Sequence, residues 1–201
     1  MDNISLGKDA GGEEKMRSFI SMDIKSKEVL DKIDAFQKKL KSSACPMKAV
    51  ERENLHLTLK FLGEISEPSY KRIVESLEPT LQEFSSFEVE LKGTGFFPSI
   101  SNLRVVWVGL NAPEIVYIQK EIEVTVNSMG FAEDKKFVPH LTVCRIKSAL
   151  NKKSLLNVLD DYKNYEFGTD MIKGINFKKS TLTPSGPIYE TLKEFKLKEV
   201  Q

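Results

Sequence analysis

The chain repeats its own plan once. Its periodicity runs strand, helix, histidine-bearing strand, helix and strand, and then passes through the same order again. In the first pass, residues 17–23 alternate apolar and polar positions as a half-buried strand does. Residues 26–41 space Val29, Leu30, Ile33, Phe36, Gln37 and Leu40 at helical intervals behind Ser26 as N-cap. Residues 47–51 form a short extended segment, and residues 55–62 alternate in strict period two until Gly63 stops them. A second amphipathic helix spans 68–84 and another strand spans 87–91. The turn-rich stretch 93–101 reads as a connector. The second pass places a strand at 104–110, a helix at 113–129, a strand at 140–146, a helix at 151–162 and a strand at 170–177. A last strand at 190–197 follows the turn 184–187. Two copies make a duplicated unit and not a solenoid. The expected fold is α+β and two-lobed, with antiparallel sheets, helices on their outer faces and polar faces turned toward a central cleft. The repeat halves lie at about 16–92 and 103–178.

Composition sets the bounds of that fold. With 201 residues and 40% hydrophobic content, the chain can bury the core of a single two-lobed domain, residues 16–201. No run approaches the roughly 20 apolar residues of a membrane helix, and the polar extension 1–15 lacks the apolar stretch of a signal peptide. A net charge of +1 argues against wrapping long duplex nucleic acid, yet it leaves room for a small anionic group in a local pocket. Cys45 and Cys144 are too few for a disulfide scaffold or a thiolate zinc cage. The expected setting is the cytoplasm, without a membrane partner, as a monomer.

The chain has two histidines, and both open the tripeptide His-Leu-Thr: His56-Leu57-Thr58 and His140-Leu141-Thr142. Duplication explains the likeness, but not why these residues persist where almost nothing else in the halves matches. On a strand, positions i and i+2 share a face and lie roughly 6.6 Å apart along the axis. Each motif therefore presents an imidazole beside a hydroxyl. Facing each other, the two motifs would surround one phosphate with two imidazoles and two hydroxyls. One imidazole would act as base and the other, protonated, as acid, while Thr58 and Thr142 donate to the non-bridging oxygens. An ordinary pKa of about 6.5 makes both forms of histidine accessible near neutrality, which predicts a bell-shaped pH profile with its maximum there. The spacing does not say which histidine takes which role. A catalytic metal has little support, because no His-x-His, His-x-x-Glu or carboxylate cluster accompanies either histidine.

These motifs resemble a known family. His56-Leu57-Thr58-Leu59 and His140-Leu141-Thr142-Val143 match the signature of the 2H phosphoesterase superfamily. The words around them, Glu53 to Gly63, Gly95-Phe96-Phe97-Pro98, Pro139 to Thr142 and Ser180 to Tyr189, are similar to the RNA 2′,3′-cyclic phosphodiesterases, also called 2′-5′ RNA ligases. The resemblance runs from Met16 to about Leu197. It implies a bilobal, pseudo-symmetric fold and the metal-independent, cofactor-free opening of a 2′,3′-cyclic phosphate to a 2′-phosphate. The implied substrates are RNA 3′ ends, tRNA halves among them. It assigns His56 as proton donor and His140 as proton acceptor, and implies a weak reverse ligation. Two other readings fit the same residues. One is a phosphodiesterase for a small cyclic nucleotide or a 2′-5′ oligonucleotide. The other is a non-catalytic module that binds RNA ends.

Other residues stand near the motifs. Strict alternation carried past Thr58 puts Lys60 on the His56 face, within reach of a phosphate. It puts Arg145 on the face opposite His140, so that Arg145 joins the site only if a bulge re-aims it. Cys144 falls on the His140 face, although a buried filler is the simpler role for a lone thiol. Phe97, in the connector, is a candidate to stack on a terminal base. Trp107 reads as core, and the pairs Lys135-Lys136, Lys152-Lys153 and Lys178-Lys179 read as solvated faces.

Overall fold

The computed structural model describes residues 15–134, 136–148, 150–184 and 186–199. The polar extension lies outside them, except that Lys15 opens the first strand. The elements run β1 (Lys15–Asp23), α1 (Lys27–Ser42), β2 (Met47–Ala49), a 3-10 turn (Arg52–Asn54), β3 (His56–Ser66), α2 (Glu67–Leu81), β4 (Phe87–Pro98), β5 (Leu103–Asn111), α3 (Pro113–Asn127), β6 (His140–Ile146), α4 (Lys152–Asp161), β7 (Glu166–Ile172), β8 (Gly174–Thr183) and β9 (Gly186–Lys196).

Local chemistry accounts for the helices. Ser26 Oγ accepts the Val29 N–H to cap α1, and Ser66 Oγ accepts the Ser69 N–H to cap α2. The α1 stripe predicted from spacing is the face that is buried: Val29, Leu30, Ile33, Phe36, Gln37 and Leu40. Each large apolar side chain so buried contributes about 1.5–3 kcal/mol relative to exposure.

The strands form a curled antiparallel sheet in the order β7-β4-β5-β6-β3-β1-β8-β9, with β2 added alongside β6. The two motif strands, β3 and β6, meet at its centre through a single register pair, Leu57 with Leu141. The pairing crosses the repeat. β4, which ends the first pass, pairs with β5 and β7, and β8, from the second pass, pairs with β1. The helices cross over too: α1 packs on β6 and β7, and α3 on β3. Each half thus lends a strand and a helix to the other, so neither sheet edge can form without both halves.

Two expectations fail here. Residues 93–101 are not a connector, since β4 continues through them to Pro98. Gly95 is there for close approach: a Cβ on it would lie 2.1 Å from the indole Cζ2 of Trp107 on β5. The single strand expected at 170–177 is two strands, β7 and β8, hydrogen-bonded to opposite ends of the sheet.

Candidate active site

Both motif strands break their alternation at the same step. Across β1, Ser21 pairs with Thr58 and Ile20 with Lys60, so Leu59 is an extra residue in β3. Across β5, Trp107 pairs with Thr142 and Val106 with Cys144, so Val143 is extra in β6. Each bulge reverses the facing of the residues beyond it. The seven residues from each histidine consequently share one burial pattern, with half-buried histidine and threonine, buried positions two, four and five, and an exposed sixth. On the β6 side, the bulge carbonyl of Val143 accepts from the Val50 N–H (3.0 Å) and from Gln37 Nε2 (2.9 Å), which pins the kink to α1.

Three expected side chains move as a result. Lys60 leaves the His56 face: it is 2% exposed and turned toward α3, where its ammonium meets Glu123 Oε1 at 2.6 Å. Cys144 leaves the His140 face and is buried, its thiol pushed up to about 12 by burial. Arg145 is re-aimed onto the His140 face and is exposed. Its cation acts on both imidazoles and on the Tyr189 phenol, favouring in each case the less positive form. Phe61, 64% exposed, holds the matching place after the first motif.

The two imidazoles are oriented alike. His56 Nδ1 lies 2.7 Å from the carbonyl of Asn54, and His140 Nδ1 lies 2.7 Å from that of Val138. A carbonyl only accepts, so each Nδ1 carries a proton and each Nε2 is left as the working nitrogen. His56 Nε2 is 3.1 Å from Thr58 Oγ1, and with that tautomer the hydroxyl donates to the ring. In both motifs the orienting carbonyl comes from the residue two before the histidine. For His56 that residue ends the 3-10 turn, and for His140 it precedes Pro139.

Aromatic rings hold each imidazole from the side. Phe19 stacks on His56 at 5.0 Å between centroids and Tyr189 meets it edge-on at 5.2 Å. Phe97 meets His140 edge-on at 5.0 Å, and Trp107 lies 6.3 Å from it. Trp107 is therefore part of this wall and not core filler. Phe97 is brought to the site as the sequence suggests, but from β4. Lys178, read from the sequence as part of a solvated pair, is instead buried against Asp23 (2.7 Å) and sits close enough to act on His56. Asn176 Nδ2 donates to the other Asp23 oxygen at 3.0 Å. Asp23 is the register partner of His56.

Burial lowers the basicity of both histidines. His56 is brought down to about 4, chiefly by desolvation, with the Asn54 hydrogen bond and Asp23 opposing and the cations of Lys178 and Arg145 adding to the fall. His140 is lowered by burial as well, against the Val138 hydrogen bond and with Arg145. Among the described residues, no three His, Cys, Asp or Glu side chains converge as a metal-ligand set. Nor is any described helix long and apolar enough to cross a membrane.

Known proteins are similar to this chain in sequence and fold. The family model described as LigT-like phosphoesterase matches the chain twice, over residues 24–107 and 108–189, one match per repeat. The RNA 2′,3′-cyclic phosphodiesterase of Methanothermobacter thermautotrophicus is 36% identical over 91% of this chain and 100% of its own length. That of Methanocaldococcus jannaschii is 41% identical over 90% of this chain and 100% of its own. Among solved structures, a Thermus thermophilus protein superposes with a TM-score of 0.79 at 26% identity, covering 92% of this chain and 100% of that one. Apo E. coli LigT, at 22% identity and a TM-score of 0.72 over 92% and 98% of the two chains, shares the fold. The chain belongs to the LigT-like phosphoesterase family.

Proposed function

We propose that the chain hydrolyses 2′,3′-cyclic phosphodiester ends of RNA, tRNA halves among them, to 2′-phosphomonoesters by acid–base catalysis between its two histidines. The observation that carries this reading is the matched pair of motifs: two oriented imidazoles, each with a threonine hydroxyl on its own strand face, at the junction of the two halves. The relatives' shared name, RNA 2′,3′-cyclic phosphodiesterase, supports the substrate class. In this mechanism neutral His140 Nε2 takes a proton from water as the oxygen attacks phosphorus. Protonated His56 Nε2 gives its proton to O3′ as the P–O3′ bond breaks, and the phosphate stays on O2′. The step leaves His140 protonated and His56 neutral, and the opposite transfers restore the pair. With an RNA 5′-hydroxyl attacking in place of water, the same transfers form P–O5′ as P–O3′ breaks and give weak 2′-5′ ligation. Thr58, Thr142 and the Arg145 guanidinium meet the phosphate charge, and Phe61, Phe97 and Tyr189 offer faces for a base. The enzyme acts as a cytoplasmic monomer without metal or cofactor.

The test is turnover of an oligoribonucleotide ending in 2′,3′-cyclic phosphate, with the position of the product phosphate determined. A 2′-phosphate product, formed at an unchanged rate in excess EDTA, is the expected result. A 3′-phosphate product, or activity lost to chelator and restored by a divalent ion, overturns the mechanism, and binding without turnover overturns the enzyme.

The hydroxyls have their own signature. Thr58→Val and Thr142→Val keep β-branching and strand propensity but remove a donor to a charged group, worth about 1.5–3 kcal/mol. Each is expected to lower kcat/KM roughly ten- to a hundredfold. Wild-type values in both would make the threonines structural.

The lowered histidines revise the expected pH optimum. Dependence of kcat/KM on pH reports the free enzyme, in which both imidazoles give up protons below the ordinary 6.5. The protonated acid is therefore scarce at neutrality, and the kcat/KM bell should peak on the acid side of pH 7. A bound phosphodiester anion favours imidazolium, so the kcat bell, which reports the complex, should lie at higher pH. Superimposable profiles centred at neutrality would count against this electrostatic account.

A further inference from the structure

We infer that Lys60, a residue of the first motif strand, is a positioning residue for the histidine of the second, acting through the chain segment that delivers His140. The bulge at Leu59 turns the Lys60 side chain to the helix side of β3. There its ammonium is held by Glu123 Oε1 at 2.6 Å, the Ala132 carbonyl at 2.6 Å and Asp134 Oδ2 at 3.3 Å. Glu123 Oε1 also accepts the Asp134 N–H at 2.9 Å, and Glu123 Oε2 accepts from Gln119 Nε2 at 3.1 Å. The backbone at 132 and 134 is thus fastened by side chains of β3 and α3, and not by pairing with a strand. A few residues on, the same segment supplies the Val138 carbonyl that fixes the His140 tautomer. Pro139 comes next and has no N–H of its own to anchor the turn.

The duplication argues that the bulge itself does not require a lysine at this place. The equivalent position after the second motif is Cys144, a small buried thiol. Nor does folding stability require the ion pair, since a buried Lys–Glu pair is often matched by apolar residues of similar volume. What the charge does here, and Cys144 does not do there, is capture a carbonyl and a carboxylate of the segment leading to the other histidine.

This inference takes His140 as a working imidazole, and its test includes a measurement that does not depend on activity. With two histidines in the chain, the imidazole ¹⁵N spectrum holds two ring systems, assigned by His56→Ala. In Lys60→Met, the Nδ1–H of His140 is expected to exchange with solvent at least about tenfold faster while that of His56, closer in sequence, is unchanged. On cyclic-phosphate RNA, kcat should fall about tenfold or more with KM little altered. Lys60→Met also loosens the fold, so the double variant Lys60→Met/Glu123→Gln, which removes the unpaired buried charge but keeps an oxygen for the Asp134 N–H, serves as control. It should regain melting temperature and keep the His140 defect. An unchanged His140 signal, an equal change in both histidines, or a signal restored together with stability would each reduce Lys60 to a structural charge and overturn the inference. Absence of turnover in the wild type would overturn the activity reading alone and leave the imidazole comparison to decide the role of Lys60.

Discussion

His56→Ala and His140→Ala should each lower kcat/KM on cyclic-phosphate-ended RNA by about 10²–10⁴-fold, with the fold retained. A positioned proton-transfer group is worth that much, and both imidazoles are positioned: each Nδ1 is committed to a backbone carbonyl, leaving Nε2 as the group that titrates. Neither ring is core. Both lie half-buried on the cleft face, and their contacts are to aromatic rings that remain after truncation. Loss of activity should therefore not come from unfolding, which a melting curve checks. Because one proton enters as the other leaves, the pair acts as a unit, and the double variant should be little worse than the poorer single one. Losses that multiply in the double variant would mean the histidines work independently, and the concerted mechanism would have to be given up.

How far the sequence could be read depends on which features alternation encodes. The motifs, the repeat order and the helical stripes depend on near neighbours along the chain, and the α1 stripe was legible residue by residue. His56, Thr58, His140 and Thr142 lie before the bulges, so period two placed them correctly. Lys60 and Cys144 lie just past them, and the same rule put both on the wrong face. A bulge is set by how a strand meets its neighbour, here Ser21 and Ile20 across Thr58 and Lys60, and that pairing leaves no mark in the strand's own residues. For Arg145 the condition that would bring it to the site was readable, but only the register shows that it is met.

Long-range pairing was equally silent. Nothing in residues 87–98 says that β4 joins the sheet of the second pass, and nothing in residues 174–183 says that β8 returns to β1. That exchange is why Lys178 and Tyr189, far along the chain, stand beside His56. Gly95 misled for a related reason. Glycine marks turns, but it also marks places where another group needs the room of a Cβ, and here the Trp107 indole takes it.

The second large effect falls on stability. Glu123→Ala would leave the Lys60 ammonium, 2% exposed, without its 2.6 Å partner, and would strip acceptors from Gln119 Nε2 and the Asp134 N–H as well. Removing one member of a buried pair costs about 3–5 kcal/mol, because the charge left behind is neither solvated nor balanced. For a domain of this length each kcal/mol is worth about 2–4 °C, so the melting temperature should drop by roughly 6–20 °C. Asp134, 44% exposed and 3.3 Å from the ammonium, offsets part of the loss but does not replace a short, enclosed contact. The control is Glu194→Ala, which breaks an exposed pair with Lys25 at 3.4 Å and should cost about 1 kcal/mol at most. Burial, and not the mere presence of an ion pair, is what separates the two. Urea denaturation of both variants measures it: comparable small losses would mean that water reaches Lys60 in solution, and the enclosed geometry of that contact would then be wrong.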